Sequence, residues 1–152
     1  MSIHAALIKT EEERISSEKA KKFIFSEKNG AESFFVGRVR NENDGQKVNA
    51  VTYDSHDQAV IKSFKLICND AKKKFDKNAS IFLEHAKGYV PVGEISILIA
   101  VSSGHRDEAF KMCRYILEEI KHKSPIWKKE HYVDGKEEWL PGHSLRPQEE
   151  IK

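Results

Sequence analysis

Three short basic clusters carry side chains able to converge on an anion. The first is Gly37-Arg38-Val39-Arg40-Asn41. A glycine lets the backbone approach a ligand closely, and an arginine fork matches phosphate or carboxylate geometry as lysine does not. The second is Ser102-Ser103-Gly104-His105-Arg106, at the junction between a strand and a helix that starts near Asp107. Free N–H groups and the positive end of the helix dipole favour an anion there, and His105 and Arg106 add a titratable donor and a fixed cation. The third is Lys121, at the end of the same helix, with Lys128-Lys129 after Pro125-Ile126-Trp127. Adjacent strand residues point to opposite faces, so only one of Lys128 and Lys129 can serve a given pocket. A lysine among other cations can have a lowered pKa, which suits its amine to acid, base or nucleophilic work. Each cluster also has a structural reading, as solvated or acid-paired arginines, a polar helix cap, or lysines placed for the helix dipole. The residues alone leave both readings open.

What is absent narrows the chemistry. There is no Walker A run, no G-x-S-x-G, no dinucleotide G-x-G-x-x-G and no H-E-x-x-H. His4, His56, His85, His105, His122, His131 and His143 show no metal-ligand spacing with Cys68 and Cys113, so no metal and no cofactor are expected. The two cysteines fall in helical stretches far apart in sequence and read as reduced core residues. His85 and His122 read as hydrogen-bonded structural residues, and Trp127 and Trp139 as core aromatics rather than a base-stacking platform. Lys plus Arg number 26 against 24 Asp plus Glu, a formal net charge of +2, which argues against a polycation coating nucleic acid. The run Ile95 to Val101 is far short of the roughly 20 apolar residues of a bilayer span. Met1 to Ile8 gives way at once to Lys9, Glu11, Glu12, Glu13 and Arg14, unlike a signal peptide. A cytoplasmic protein without a membrane partner is expected.

The elements that must position the clusters follow from periodicity within 152 residues, which suit one domain. Residues 1–15 read as an edge strand and loop. A short helix capped by Ser16 or Ser17 is expected to run to Asn29-Gly30. Ala31 to Arg40 reads as a strand with Arg38 and Arg40 on one face, and Val48 to Tyr53 as its hairpin partner across a long tip, Asn41 to Lys47, able to act as a lid. Val60, Phe64, Ile67, Ala71 and Phe75 form the stripe of a helix whose end, Lys72-Lys73-Lys74, reads as solvated. Ser80 to Ala86 and Glu94 to Ser102 read as strands joined through Gly88, Pro91 and Gly93, the second covered on both faces. Ala109, Cys113, Ile116 and Ile120 mark a helix from Asp107 to His122, and Asp134-Gly135 closes a last hairpin. Residues 141–152 read as a flexible tail. The order is α+β.

In sequence order, Phe35-Val36-Gly37-Arg38-Val39-Arg40-Asn41, Val48 to Tyr53, Gly88 with Gly93-Glu94, Val101 to Arg106 with Ala109-Phe110, and Lys121 leading to Pro125-Ile126-Trp127-Lys128-Lys129-Glu130, Asp134-Gly135 and Trp139 resemble the MoaE family, the large subunits of molybdopterin synthase. The resemblance covers about residues 30–140. It implies an α/β-hammerhead-like fold, an antiparallel sheet with packed helices and a C-terminal β-hairpin. It implies a homodimer of large subunits within a heterotetramer, each binding a small ubiquitin-like, MoaD-like subunit whose C-terminal Gly-Gly thiocarboxylate enters the pocket. The implied reaction is sulfur transfer to cyclic pyranopterin monophosphate, forming the dithiolene of molybdopterin without a metal. By the same resemblance Lys121 and Lys128 are catalytic, Arg40, His105 and Arg106 hold the substrate, Phe35 walls the pocket, and Arg38 and Lys129 are auxiliary.

The chain departs from the family in places. His85-Ala86 stands where His-Arg is common, with Lys87 next to it as a substitute charge, and Ala59-Val60 stands in place of a Met-Ala pair. His143, with Arg146 nearby, occupies the position of an arginine that reaches the partner protomer in some members, so that contact would be pH-sensitive if His143 makes it. The competing readings are a non-enzymatic module whose basic cleft receives an acidic peptide tail or nucleic acid, and a family member that only holds its partner.

Overall fold

The structure, a computed structural model, describes residues 2–140. The tail from residue 141, with His143 and Arg146, lies outside the described residues. In chain order the elements are β1 (Ile3–Lys9), α1 (Ser17–Ile24), β2 (Ala31–Arg38), β3 (Glu42–Asn43), β4 (Gln46–Ser55), α2 (Asp57–Lys74), β5 (Ser80–Pro91), β6 (Ile95–Ser103), α3 (Arg106–Lys123), β7 (Ile126–Tyr132) and β8 (Glu137–Trp139). The sheet runs β2-β6-β5-β4-β7-β8, with β1 added to β5 and β3 to β4. The β1–β5 pairing is parallel, and the others are antiparallel. β5 joins two halves: Ser80 to His85 pair with β6, and Gly88 to Pro91 pair with β4.

Periodicity explains the packing. In β6, Ile97, Ile99 and Val101 face a large core completed by Val60, Phe64, Ile67 and Ala71 of α2 and Met112, Cys113, Ile116 and Ile120 of α3. Leu98 and Ala100, on the other face, meet Phe82 and the Ala20 and Ile24 stripe of α1. β6 is thus covered on both faces, as the apolar run from Ile97 to Val101 requires. Each large side chain sealed here contributes about 1.5–3 kcal/mol of transfer free energy, so this half supplies the rigid frame. Cys68 and Cys113 are buried and in no disulfide, and burial pushes their thiols up to about 12 and about 11.

Several expectations are corrected. α1 ends at Ile24, not at Asn29-Gly30, because Ser26 forms a local turn: its hydroxyl accepts from the Lys28 N–H at 3.3 Å and its carbonyl from Asn29 at 3.1 Å. β2 does not form a hairpin with β4. It pairs along its length with β6, where Phe34 and Phe35 reach the two cores. The Asp44-Gly45 turn instead closes the short β3–β4 hairpin, with φ of 49° and 80° at the two residues, the left-handed pair of a type I′ turn. β5 continues through Gly88 to Pro91, leaving only Val92-Gly93-Glu94 as the tip. Trp127 and Trp139 are 36% and 51% exposed rather than core, because among the described residues no further layer covers that side of the final hairpin. His85 is buried as expected, its Nδ1 2.8 Å from the Ala86 carbonyl, whereas His122 is exposed.

Candidate active site

The C-terminal end of α3 delivers Lys121, and Ser124 and Pro125 turn the chain directly into β7. β7 pairs with β4, placing Lys128 opposite Tyr53 and Glu130 opposite Val51. Beyond β2, Val39 keeps the chain on the sheet by donating to the Glu94 carbonyl at 3.1 Å and accepting from Gly93 at 2.8 Å. Arg38 and Arg40 flank that buried valine. Together they surround a cavity of about 80 Å³ lined by Arg38, Arg40, Glu42, Asn43, Tyr53, Lys128 and Glu130, among others.

Its electrostatics centre on two side chains. Burial lowers the pKa of Lys128; Glu130 opposes that shift, and the charges of Lys121 and Arg40 add to it. Glu130, only 4% exposed, is held from two sides. Asn43 Nδ2 donates to both of its carboxylate oxygens at 3.0 Å, and the Tyr132 hydroxyl donates to Oε1 at 2.9 Å. Below them, burial raises the pKa of Tyr53, whose ring meets His85 edge-on at 5.0 Å. Burial depresses His85 to about 4, with Lys128 adding to the shift, so the ring is neutral at pH 7. An amine whose pKa burial lowers thus stands within the field of two further cations and above a neutral aromatic floor. Such a site can steer an anion, stabilise a developing oxyanion and move a proton.

The other sequence-derived residues are distributed more widely. Lys129 points away from Lys128, as alternation requires: it pairs with Glu137 at 3.2 Å and lies over the Trp139 ring at 5.2 Å. Arg38 donates to the Gly93 carbonyl at 2.7 Å. Phe35 is absent from the lining of this cavity and packs against the large core. It lies on the side of β2 occupied by Gly37, where a Cβ would meet Ile97 Cγ2 at 2.6 Å and Phe35 Cε2 at 3.3 Å. That crowding explains why glycine stands at this point.

His105 and Arg106 are not brought to Lys128 within one protomer. They begin α3 and Lys121 is near its end, 15 residues of helix or about 22 Å from Arg106 at 1.5 Å per residue. The N-terminal end opens on its own cavity of about 630 Å³, lined by His105, Asn29, Asp76, Asn78, Gly104 and Glu108, among others. Here the expected anion site already faces a carboxylate of the chain itself. Ser103 Oγ and the Gly104 N–H donate to Asp76 Oδ2. Although burial would raise it, these bonds and one from Asn78 hold the Asp76 carboxyl below its ordinary pKa. Lys87 does not replace the charge missing at Ala86. Ala86 is buried in the large core, and Lys87, on the opposite face of the strand, pairs with Asp57 at 2.6 Å.

Sequence reasoning missed Glu130, Asn43 and Tyr53 as parts of this site. Period 2 from Lys128 is the signal that finds Glu130. Nothing local identifies Asn43, whose partner is 87 residues away.

Fold and cavity define an α+β protein in which Arg40 and Lys128 line one small cavity. The MoaE protein family matches residues 10–123, and the chain belongs to that family. It is 41% identical over 126 residues to the molybdopterin synthase catalytic subunit of Synechococcus elongatus, spanning 83% of this chain and 76% of that protein. Among solved structures it resembles molybdopterin synthase from Staphylococcus aureus, with a TM-score of 0.80 and 30% identity over 93% of this chain and 96% of that one. The fold also matches a chain in the complex of subunits 1 and 2 of molybdopterin-converting factor from Helicobacter pylori, with a TM-score of 0.70 and 22% identity over 94% and 91% of the two chains.

Proposed function

We propose that this chain is the catalytic subunit of a molybdopterin synthase. It transfers sulfur from the thiocarboxylated C-terminus of a small ubiquitin-like subunit to cyclic pyranopterin monophosphate, building the dithiolene of molybdopterin. The observation that carries this reading is that Arg40 and Lys128 line one cavity, with the charge of Lys121 acting on Lys128, in a member of the MoaE family. Arg40 holds the substrate phosphate. Lys121 steers the anionic thiocarboxylate and stabilises the phosphate oxygen released when the cyclic ester opens. Lys128, with its lowered pKa, moves the proton.

His105 and Arg106 enter the same reaction from a second copy. The length of α3 keeps them from their own protomer's lysines, and a homodimer that apposes the N-terminal end of one α3 to the C-terminal end of the other completes the site twice. We place the assembly in the cytoplasm, in keeping with two buried cysteines outside any disulfide. Among the described residues no helix is long and apolar enough to cross a membrane.

Single-turnover conversion of cyclic pyranopterin monophosphate by this chain plus thiocarboxylated small subunit, for wild type and Lys121→Ala, tests the reading. Dithiolene pterin from the wild type and a collapse in the mutant, with the complex still forming, are the expected results. A folded wild type that binds the small subunit without forming product would show a binding-only protein instead.

A further inference from the structure

The cavity beside Lys128 is too small for the reaction proposed above. Small-molecule sites commonly enclose about 300–1,000 Å³. This one holds about 80 Å³. The floor and back wall cannot yield: Tyr53 and His85 are buried, and Lys128 and Glu130 stand on a strand paired on both sides. The front wall is different. Glu42 and Asn43 belong to the two-residue strand β3, which pairs only with the start of β4, and the loop from Arg40 to Asp44 also borders an open cavity of about 490 Å³. Arg40 lines both spaces.

The hairpin is built to swing. Its base is the bond from the Val48 N–H to the Asn41 carbonyl at 2.9 Å, with Lys47 fixed on the β4 side by the Val133 N–H at 3.0 Å. Beyond that base the tip turns through Asp44-Gly45, and Asn43 ties it to the body by donating to both oxygens of the Glu130 carboxylate at 3.0 Å. Glu42 spends its charge within the hairpin, 3.8 Å from Lys47.

We propose that the β3–β4 hairpin is a lid over the Lys121 and Lys128 site, latched by Asn43 on Glu130, and that it opens to merge the two cavities and admit a phosphate-bearing heterocycle. Asn43 is then a positioning residue. In the closed state it orients the carboxylate that faces Lys128, and in the open state it leaves that carboxylate to Tyr132 alone. The catalytic meaning of the lid rests on the sulfur-transfer reading; its motion does not.

Asn43→Ala and Asn43→Asp remove the donor from the half-buried end of β3, the second also setting a like charge against Glu130. Two measurements on the full chain, neither needing turnover, test the latch. Amide hydrogen exchange of residues 42–47 should accelerate about tenfold or more in both variants, as expected for loss of a bond to a charged acceptor. Acylation of Lys128 in Asn43→Ala by an amine-reactive ester, quantified by mass spectrometry across pH, should scale up as a whole profile. A change in the amine's pKa would instead displace the profile along the pH axis. Unchanged exchange would show that Asn43 is not the latch. Faster exchange with an unscaled Lys128 profile would show that the hairpin does not cover the site. Either result overturns the proposal. A wild type without sulfur transfer would overturn the functional reading and leave the lid standing.

Discussion

The two ends of α3 look alike in sequence and behave differently in the fold. Each carries a histidine beside an arginine or lysine. At the N-terminal end the helix dipole and the Ser103 and Gly104 donors are met by Asp76, beside a wide, open cavity. At the C-terminal end the charges of Lys121 and Arg40 act on Lys128, which lines a small cavity with Arg40, and the carboxylate that opposes them is itself pinned by Asn43 and Tyr132. The difference teaches that a basic cluster becomes reactive through what fails to neutralise it. Asp76 takes up the Ser103 and Gly104 donors at one end, whereas at the other burial lowers the pKa of the Lys128 amine.

The largest effect should come from the C-terminal end. Lys128→Ala should slow sulfur transfer about 10²–10³-fold, the range for removing one preorganised group that stabilises developing charge, while capture of the small subunit persists. Single-turnover kinetics beside a binding assay check this.

Next is the neutral floor of the same site. His85 is held at about 4 in the fold against 6.5 for an ordinary histidine. Above pH 6.5 neither folded nor unfolded chain holds that proton, so no stability is lost. As pH falls from 6.5 towards 4 the unfolded chain takes it up first, removing about 3 kcal/mol. Urea unfolding of the wild type should therefore weaken more steeply over this window than that of His85→Gln. Parallel pH profiles would show that the ring is not buried neutral.

A smaller, diagnostic effect separates charge coupling from packing. Lys121→Ala removes a cation that disfavours protonated Lys128, so the pH midpoint for acylation of Lys128 should move upward. An unmoved midpoint would mean that the two amines do not share a field.

The mildest effect belongs to the N-terminal end. Asp76→Asn should cost about 1 kcal/mol at pH 7, measured by thermal or urea unfolding. Because the folded pKa is depressed, that stability is complete above the unfolded value near 4 and disappears as pH falls through the folded one. Wild type and variant should converge in acid.

Much of the frame was legible because its signals are local. The stripes of α2 and α3, the two-faced apolar pattern of β6 and the Asp134-Gly135 turn each fix an element from neighbours a few residues away. Strand partnership was not legible. β2 chose β6, some sixty residues on, over the nearby β4, because the β6 register buries Phe34 and Phe35 against both cores. At the site, Arg40, Lys121 and Lys128 were legible as residue types and Glu130 through alternation from Lys128. The separation of Arg106 from Lys121 is contained in the helix length itself. The roles of Asp76 and Asn43 depend on tertiary contacts that no local pattern encodes.

The central claim is that chemistry occurs at the Lys128 end of one α3 and is completed by the Arg106 end of another. Lys128→Ala and Arg106→Ala, each inactive alone, should be mixed under conditions of subunit exchange and assayed by single turnover. A mixed dimer holds one intact site, so random exchange should restore about a quarter of the wild-type yield. A mixture as inactive as its parents, with exchange verified by mass, would contradict a site shared between protomers.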